Sequence, residues 1–135
     1  MMYIQHPTIM IFVGYSPTDF NNAHNMIIIM ELAQNGSLQD VIKNIMSNNG
    51  PPYYCNTTRQ IILVGVARGM KFLHDRNIIH RDLKPGNILL IAEFQPLLTD
   101  FGMAIQFGVP SHTKHLKSLE VKIIIQKLMF MHLVF

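Results

Sequence analysis

One stretch of the 135-residue chain concentrates groups able to do chemistry. It is His80-Arg81-Asp82-Leu83-Lys84-Pro85-Gly86-Asn87, and thirteen residues beyond Asn87 comes Asp100-Phe101-Gly102. A carboxylate, a cation and an amide share one loop, and a second carboxylate follows at short range. Phosphoryl transfer needs this set. Its transition state is largely dissociative, so a protein mainly positions groups and neutralises charge. Asp82 would orient an attacking hydroxyl, Lys84 would sit near the transferred phosphoryl, and Asn87 with Asp100 would offer oxygen ligands to magnesium. A carboxylate in a polar loop is ordinarily just solvated, which is the reading for Asp75. Asp82 and Asp100 differ because their neighbours complete the set. His112, His115 and His132 share no ligand spacing, so no metal site is assigned to them.

The surrounding sequence predicts the elements that must hold these groups. Thr8 to Val13 and Met26 to Leu32 are apolar runs separated by turn formers (Tyr15-Ser16-Pro17-Thr18-Asp19, Asn21-Asn22), and read as two antiparallel strands. Ser37 with Asp40 three residues on is an N-cap signature, and Leu38, Val41, Ile42, Ile45 and Met46 follow at helical spacing. Asn48-Asn49-Gly50-Pro51-Pro52 stops that helix. Thr57-Thr58-Arg59-Gln60 reads as a capping box, opening a longer helix with Ile62, Val66, Gly69 and Leu73 on one face. Gly65 and Gly69 each weaken it by roughly 1 kcal/mol relative to Ala, which implies that another element packs closely there. Short strands are expected at Ile78-Ile79, Ile88 to Ile91 and Pro96 to Thr99, around the polar loop.

The loop matches H-R-D-L-K-P-x-N, with D-F-G at the usual separation, and so resembles the protein kinase family. Flanking text fits in order. His6-Pro7-Thr8-Ile9 resembles the family's loop between helix C and strand 4. Met30-Glu31-Leu32-Ala33-Gln34-Asn35-Gly36-Ser37-Leu38 resembles strand 5, the hinge and the start of helix D. Gly69-Met70-Lys71-Phe72-Leu73-His74 resembles the end of helix E. The resemblance covers Met1 to about Ala104. It implies an α+β, partial two-lobed kinase fold comprising the end of the small lobe, the hinge and the first half of the large lobe. It implies ATP and Mg as cofactors and a protein Ser/Thr substrate, with Lys84 pointing to the Ser/Thr type and the hinge text to its tyrosine-kinase-like group. Residue by residue, it implies Asp82 as catalytic base and Lys84 on the transferred phosphate. Asn87 and Asp100 would hold the metal, Met30 is the gatekeeper, and the Glu31 carbonyl and Ala33 backbone face adenine with Leu89 beneath it. Arg81 would pair with an activation-loop phosphate, and Phe12, His80 and Phe101 would join an internal apolar column.

Composition sets further bounds. The chain is 49% hydrophobic and only 14% charged, where an ordinary domain carries about 25% charged residues. That imbalance predicts apolar faces that associate with other chain. Net charge is +3, but the basic residues are scattered, which argues against nucleic acid as a partner. The lone Cys55 allows no internal disulfide and fits a reducing compartment, so a cytoplasmic location is expected. The N-terminus lacks a basic n-region, and Val121 to Phe135 is interrupted by Lys122, Gln126 and Lys127 and is shorter than the ~20 residues of a span, so neither signal peptide nor transmembrane segment is expected.

No Gly-rich loop or Val-Ala-Ile-Lys strand precedes His6, and no Ala-Pro-Glu follows Gly102. The expectation is a partial kinase domain over residues 1–108 that is inactive as written. The alternative is a non-catalytic, pseudokinase-like interaction or regulatory fragment, and a membrane-associated peptide at Val121 to Phe135 is a weaker third. Residues 109–135 are unlike the family and without period. Starting each codon at its third base, Met129-Phe130 forces Val, Met131-His132 forces Ala, and Ile125 to Phe135 can encode Ser-Glu-Val-Asp-Val-Tyr-Ala-Phe-Gly-Val. The tail therefore reads as kinase sequence in a shifted frame.

Overall fold

The computed structural model describes residues 5–52, 54–107 and 122. Among them, strands β1 (Phe12–Ser16) and β2 (Ile27–Met30) form an antiparallel ribbon, followed by helices α1 (Leu38–Met46) and α2 (Asn56–Asp75). Four short strands then surround the polar loop: β3 (Ile78–Ile79), β4 (Ile88–Leu90), β5 (Pro96–Leu98) and β6 (Ile105–Gln106). β3 pairs with β6 and β4 with β5, both antiparallel. This mixture of helices and small antiparallel sheets is the partial α+β kinase fold that the sequence implies. The tail assigned to a shifted frame lies outside the described residues, apart from Lys122.

The first helix starts where the sequence says it should. Asp40 N–H donates to Ser37 Oγ at 3.1 Å, and the Asp40 carboxylate accepts from Ser37 N–H at 3.3 Å, a reciprocal cap that satisfies two orphan donors. Leu38 and Val41 are then buried, Ile42 and Ile45 pack against the core, and Met46 points to solvent.

The second helix begins earlier than the capping box at Thr57 predicts. Its N-cap is Cys55, whose N–H donates to Thr58 Oγ1 at 3.5 Å, so Thr58 rather than Gln60 closes the turn. Hydrogen bonds led by the Thr58 N–H lower the Cys55 thiol pKa to about 7. The predicted face is correct: Ile62, Val66, Gly69 and Leu73 are all buried. Both glycines sit where another element comes close. A Cβ at Gly65 would lie 2.3 Å from Pro96 Cγ, and one at Gly69 would lie 2.6 Å from Thr8 Oγ1 and 2.8 Å from Leu98 Cδ1. Strand β5 and the Thr8 segment therefore lie directly on the α2 backbone.

The run Thr8 to Val13 does not form one strand. Its first half leaves the ribbon for the large-lobe core. Met10 N–H donates to the Leu98 carbonyl and Leu98 N–H to the Thr8 carbonyl, each at 2.9 Å, making a parallel bridge at Ile9. Thr8, Ile9 and Met10 are buried there. Strand β1 starts only at Phe12 and takes in Tyr15 and Ser16, assigned above to a turn, because their backbone pairs with Ile28 and Ile27. The ribbon's register puts Phe12 opposite Met30 and Tyr15 opposite Ile28, so these four share one face. All four are exposed, between 41% and 66%.

Candidate active site

The polar loop hangs between β3 and β4, and its shape is set by buried groups beneath it. His80 is fully buried, with Nε2 3.0 Å from the Thr99 carbonyl. Since a carbonyl only accepts, Nε2 carries the hydrogen, and Nδ1 is left buried without a partner. The ring lies 5.0 Å from that of Phe101. His80 thereby ties the start of the loop to the segment carrying Asp100. Arg81 and Asp100 both adopt left-handed backbone, at φ 69° and 61°, a strained conformation that clusters at functional sites.

At the centre is Asp82. Its Oδ2 accepts from Lys84 Nζ at 2.7 Å and from Asn87 Nδ2 at 2.9 Å, and Asn87 Nδ2 also reaches the Asp82 carbonyl at 2.9 Å. Asn87 is buried, and its backbone carbonyl accepts from Thr99 N–H at 3.1 Å, which brings Asn87 alongside the residue before Asp100. The structure thus gathers Asp82, Lys84, Asn87 and Asp100 at one place. Asn87 commits its amide hydrogens and keeps its oxygen available. With the Asp100 carboxylate this is a pair of hard oxygen donors, suited to magnesium completed by phosphate and water oxygens.

The hydrogen bond from Lys84 is the main cause that holds the Asp82 carboxyl below the usual carboxylate range; desolvation opposes it, and the hydrogen bond from Asn87 adds a lesser lowering. The same bond raises Lys84 above its ordinary value. A depressed carboxylate adds stability above its unfolded pKa and loses it as pH falls through the folded one. A raised lysine adds stability that is lost only as pH rises through its folded pKa. The pair is therefore fully formed at neutral pH and weakens at both extremes. Lys84→Met should move the Asp82 carboxyl titration upward, read from its side-chain carbon shift by NMR. An unchanged midpoint would show that Lys84 does not hold it.

The residues expected to face adenine lie at the end of β2, in the chain after it and in β4. Leu89 is half-buried in β4, between the core residues Ile88 and Leu90. A clasp joins this strand to the chain after β2. Asn35 N–H donates to the Leu90 carbonyl and Leu90 N–H to the Gly36 carbonyl, each at 2.9 Å, while Asn35 Nδ2 reaches the Ile91 carbonyl at 2.7 Å. Gly36 has φ +66°, which a side chain would strain. The Glu31 carbonyl and the Ala33 N–H have no hydrogen-bond partner among the described residues. The Glu31 carboxylate turns back to accept from Ile11 N–H at 2.7 Å. Met30 is 47% exposed on the open face of the ribbon. Phe12 stands opposite it, outside the buried cluster that takes in Phe101, so the apolar column is formed here only by His80 and Phe101. The clasp role of Asn35 was not read from sequence, though an amide beside a glycine at a strand-to-helix turn is a signal for it.

Among the described residues no helix is long and apolar enough to cross a membrane, and no cluster of three or more His, Cys, Asp or Glu could hold a metal ion. The chain's matching family description is the protein kinase domain, over residues 1–121. It is 38% identical over 104 residues to "Probable serine/threonine-protein kinase PBL21" of Arabidopsis thaliana, covering 75% of this chain and 26% of that protein. It is 41% identical over 93 residues to the MAP kinase kinase skh1/pek1 of Schizosaccharomyces pombe, covering 68% and 25%. A third similar protein, at 36% over 103 residues, is "Putative serine/threonine-protein kinase/receptor R818" of Acanthamoeba polyphaga mimivirus, covering 76% and 6%. The chain belongs to the protein kinase family. It spans about a quarter or less of the length of these relatives.

Proposed function

We propose that the chain carries the catalytic loop of an enzyme that transfers a phosphoryl group from Mg-ATP to Ser or Thr of protein substrates, and that the 135 residues alone are inactive. The observation that carries the first half is the Asp82 carboxylate, fixed by Lys84 at 2.7 Å and Asn87 at 2.9 Å. So held, Asp82 stays ionised and presents its remaining lone pairs to a substrate hydroxyl, whose proton it accepts as the oxygen attacks. Lys84 would turn from Asp82 toward the developing charge on the phosphoryl oxygens. Magnesium, when bound, would neutralise phosphate charge, and Asn87 and Asp100 are the residues to hold it. Adenine would meet the Glu31 carbonyl, the Ala33 N–H, Met30 and Leu89. The lone Cys55, which allows no internal disulfide, supports a cytoplasmic location.

The second half rests on the absence from these residues of a Gly-rich loop and a lysine for the α and β phosphates. That absence also favours the alternative, a non-catalytic interaction or regulatory fragment. Calorimetric titration with Mg-ATP and a radiolabelled transfer assay should give no turnover above background. Transfer abolished by Asp82→Asn would overturn the inactivity and uphold the role of Asp82. Transfer that survives the substitution would remove that role. For residues 109–135 the proposal is a shifted reading frame, tested by transcript sequencing across codons 104 to 135. Codons incompatible with Asp-Val-Tyr-Ala-Phe-Gly in the shifted frame would refute it.

A further inference from the structure

A groove of about 450 Å³ lies between the Pro7-Thr8 segment and the outward face of α2, away from the loop that carries Asp82. Its floor is a stripe at helical spacing, from Thr57 through Ile61 and Val64 to Arg68. The eleven steps from Thr57 to Arg68 rise about 16 Å along an α-helix, the length of roughly five residues of extended chain. The walls are unevenly charged. Arg68 is exposed and has no ion-pair or hydrogen-bond partner among the described residues, and no Asp or Glu lines the groove. His6 lines it too, and its imidazole pKa is lowered first by burial and then by the positive charges of Arg76 and Arg68. The site is thus an elongated apolar trough in a positive field, with a cation at the rim that nothing in the described chain neutralises.

We propose that this groove docks a short extended acidic segment of a partner protein, with a carboxylate on Arg68 and an apolar side chain over Val64 and Pro7. The shape favours a peptide over a compact ligand, because the trough is open along its side and several times longer than one small carboxylate. The charge sets the sign of the partner. This assignment is independent of the phosphoryl-transfer reading, since it uses none of those residues.

The test is fluorescence anisotropy with a labelled pentapeptide of alternating Glu and Leu, and its counterpart with Gln for Glu, on the 135-residue chain carrying Tyr15→Thr and Ile28→Thr to limit self-association, at low salt. The acidic peptide should bind at least tenfold more tightly. Arg68→Glu, at an exposed position, should remove that preference, and Val64→Tyr should weaken binding by filling the floor. Far-UV circular dichroism checks that both variants keep their helices. Equal binding of the two peptides would mean indiscriminate apolar adhesion and would overturn the proposal. So would acidic-peptide binding untouched by Arg68→Glu or Val64→Tyr, no binding at all, or displacement by free hexanoate at peptide concentrations, which would assign the groove to small carboxylates.

Discussion

Gly65→Ala should destabilise the chain by about 3 kcal/mol, the upper end of what inserting one methyl group into a packed site does. The new Cβ would stand 2.3 Å from Pro96 Cγ and 2.7 Å from its Cδ, both atoms of a rigid ring in a paired strand. Neither side can yield by rotating a side chain. Ala is the better helix former by roughly 1 kcal/mol, so intrinsic propensity predicts the opposite sign and the steric effect must exceed it. Ala67→Gly, two residues on at an exposed position of the same helix, should cost only about 1 kcal/mol. Urea denaturation followed by far-UV circular dichroism separates the two. A Gly65→Ala midpoint at or above that of the parent would mean that β5 does not lie where described.

Exposed apolar surface on the β1–β2 ribbon should dominate the chain's behaviour in solution. Phe12, Tyr15, Ile28 and Met30 share one open face, and Phe20, Met26 and Leu32 are 96%, 68% and 77% exposed around it. Contiguous apolar patches of this kind drive association. The chain expressed alone should bind a hydrophobic dye and self-associate. Replacing Tyr15 and Ile28 together by Thr, which keeps the strand's β-branched character, should remove most of the dye signal and shift gel filtration toward monomer. A parent chain that elutes as a dye-silent monomer with a cooperative thermal transition would show that this face is covered.

The features legible in the sequence were those with a local signature. Ser37 and Asp40 are three residues apart, and their reciprocal bonds form in the structure as the pattern requires. The buried stripe of α2 follows from a period of 3.6, and the two glycines announce a close neighbour without saying which. Local pattern could not say that the neighbours are Pro96, Leu98 and Thr8, since nothing periodic connects residues so far apart in sequence. The same limit hid the division of Thr8 to Val13 between two bodies: Ile9 and Phe12 look alike as apolar strand residues, but Ile9 pairs with Leu98 and Phe12 with Met30. Cys55 was missed as an N-cap because cysteine is not among the residues that favour that position. At the loop, residue types announced the chemistry, and the structure adds the hydrogen bonds by which Asn87 and Lys84 converge on one Asp82 oxygen.

The bridge between Ile9 and Leu98 also has a mechanical meaning. It clamps the chain at Met10, immediately before the ribbon begins, while the clasp at Asn35 and Gly36 clamps it again just after the ribbon ends. The ribbon is therefore a lever with two anchored roots, tied to each other where Ile11 meets Glu31. One root grips β5 two residues before Asp100 and the other grips β4 three residues after Asn87. A load applied to the far end of the ribbon would be delivered to the two strands that adjoin the proposed metal ligands, β4 just after Asn87 and β5 just before Asp100.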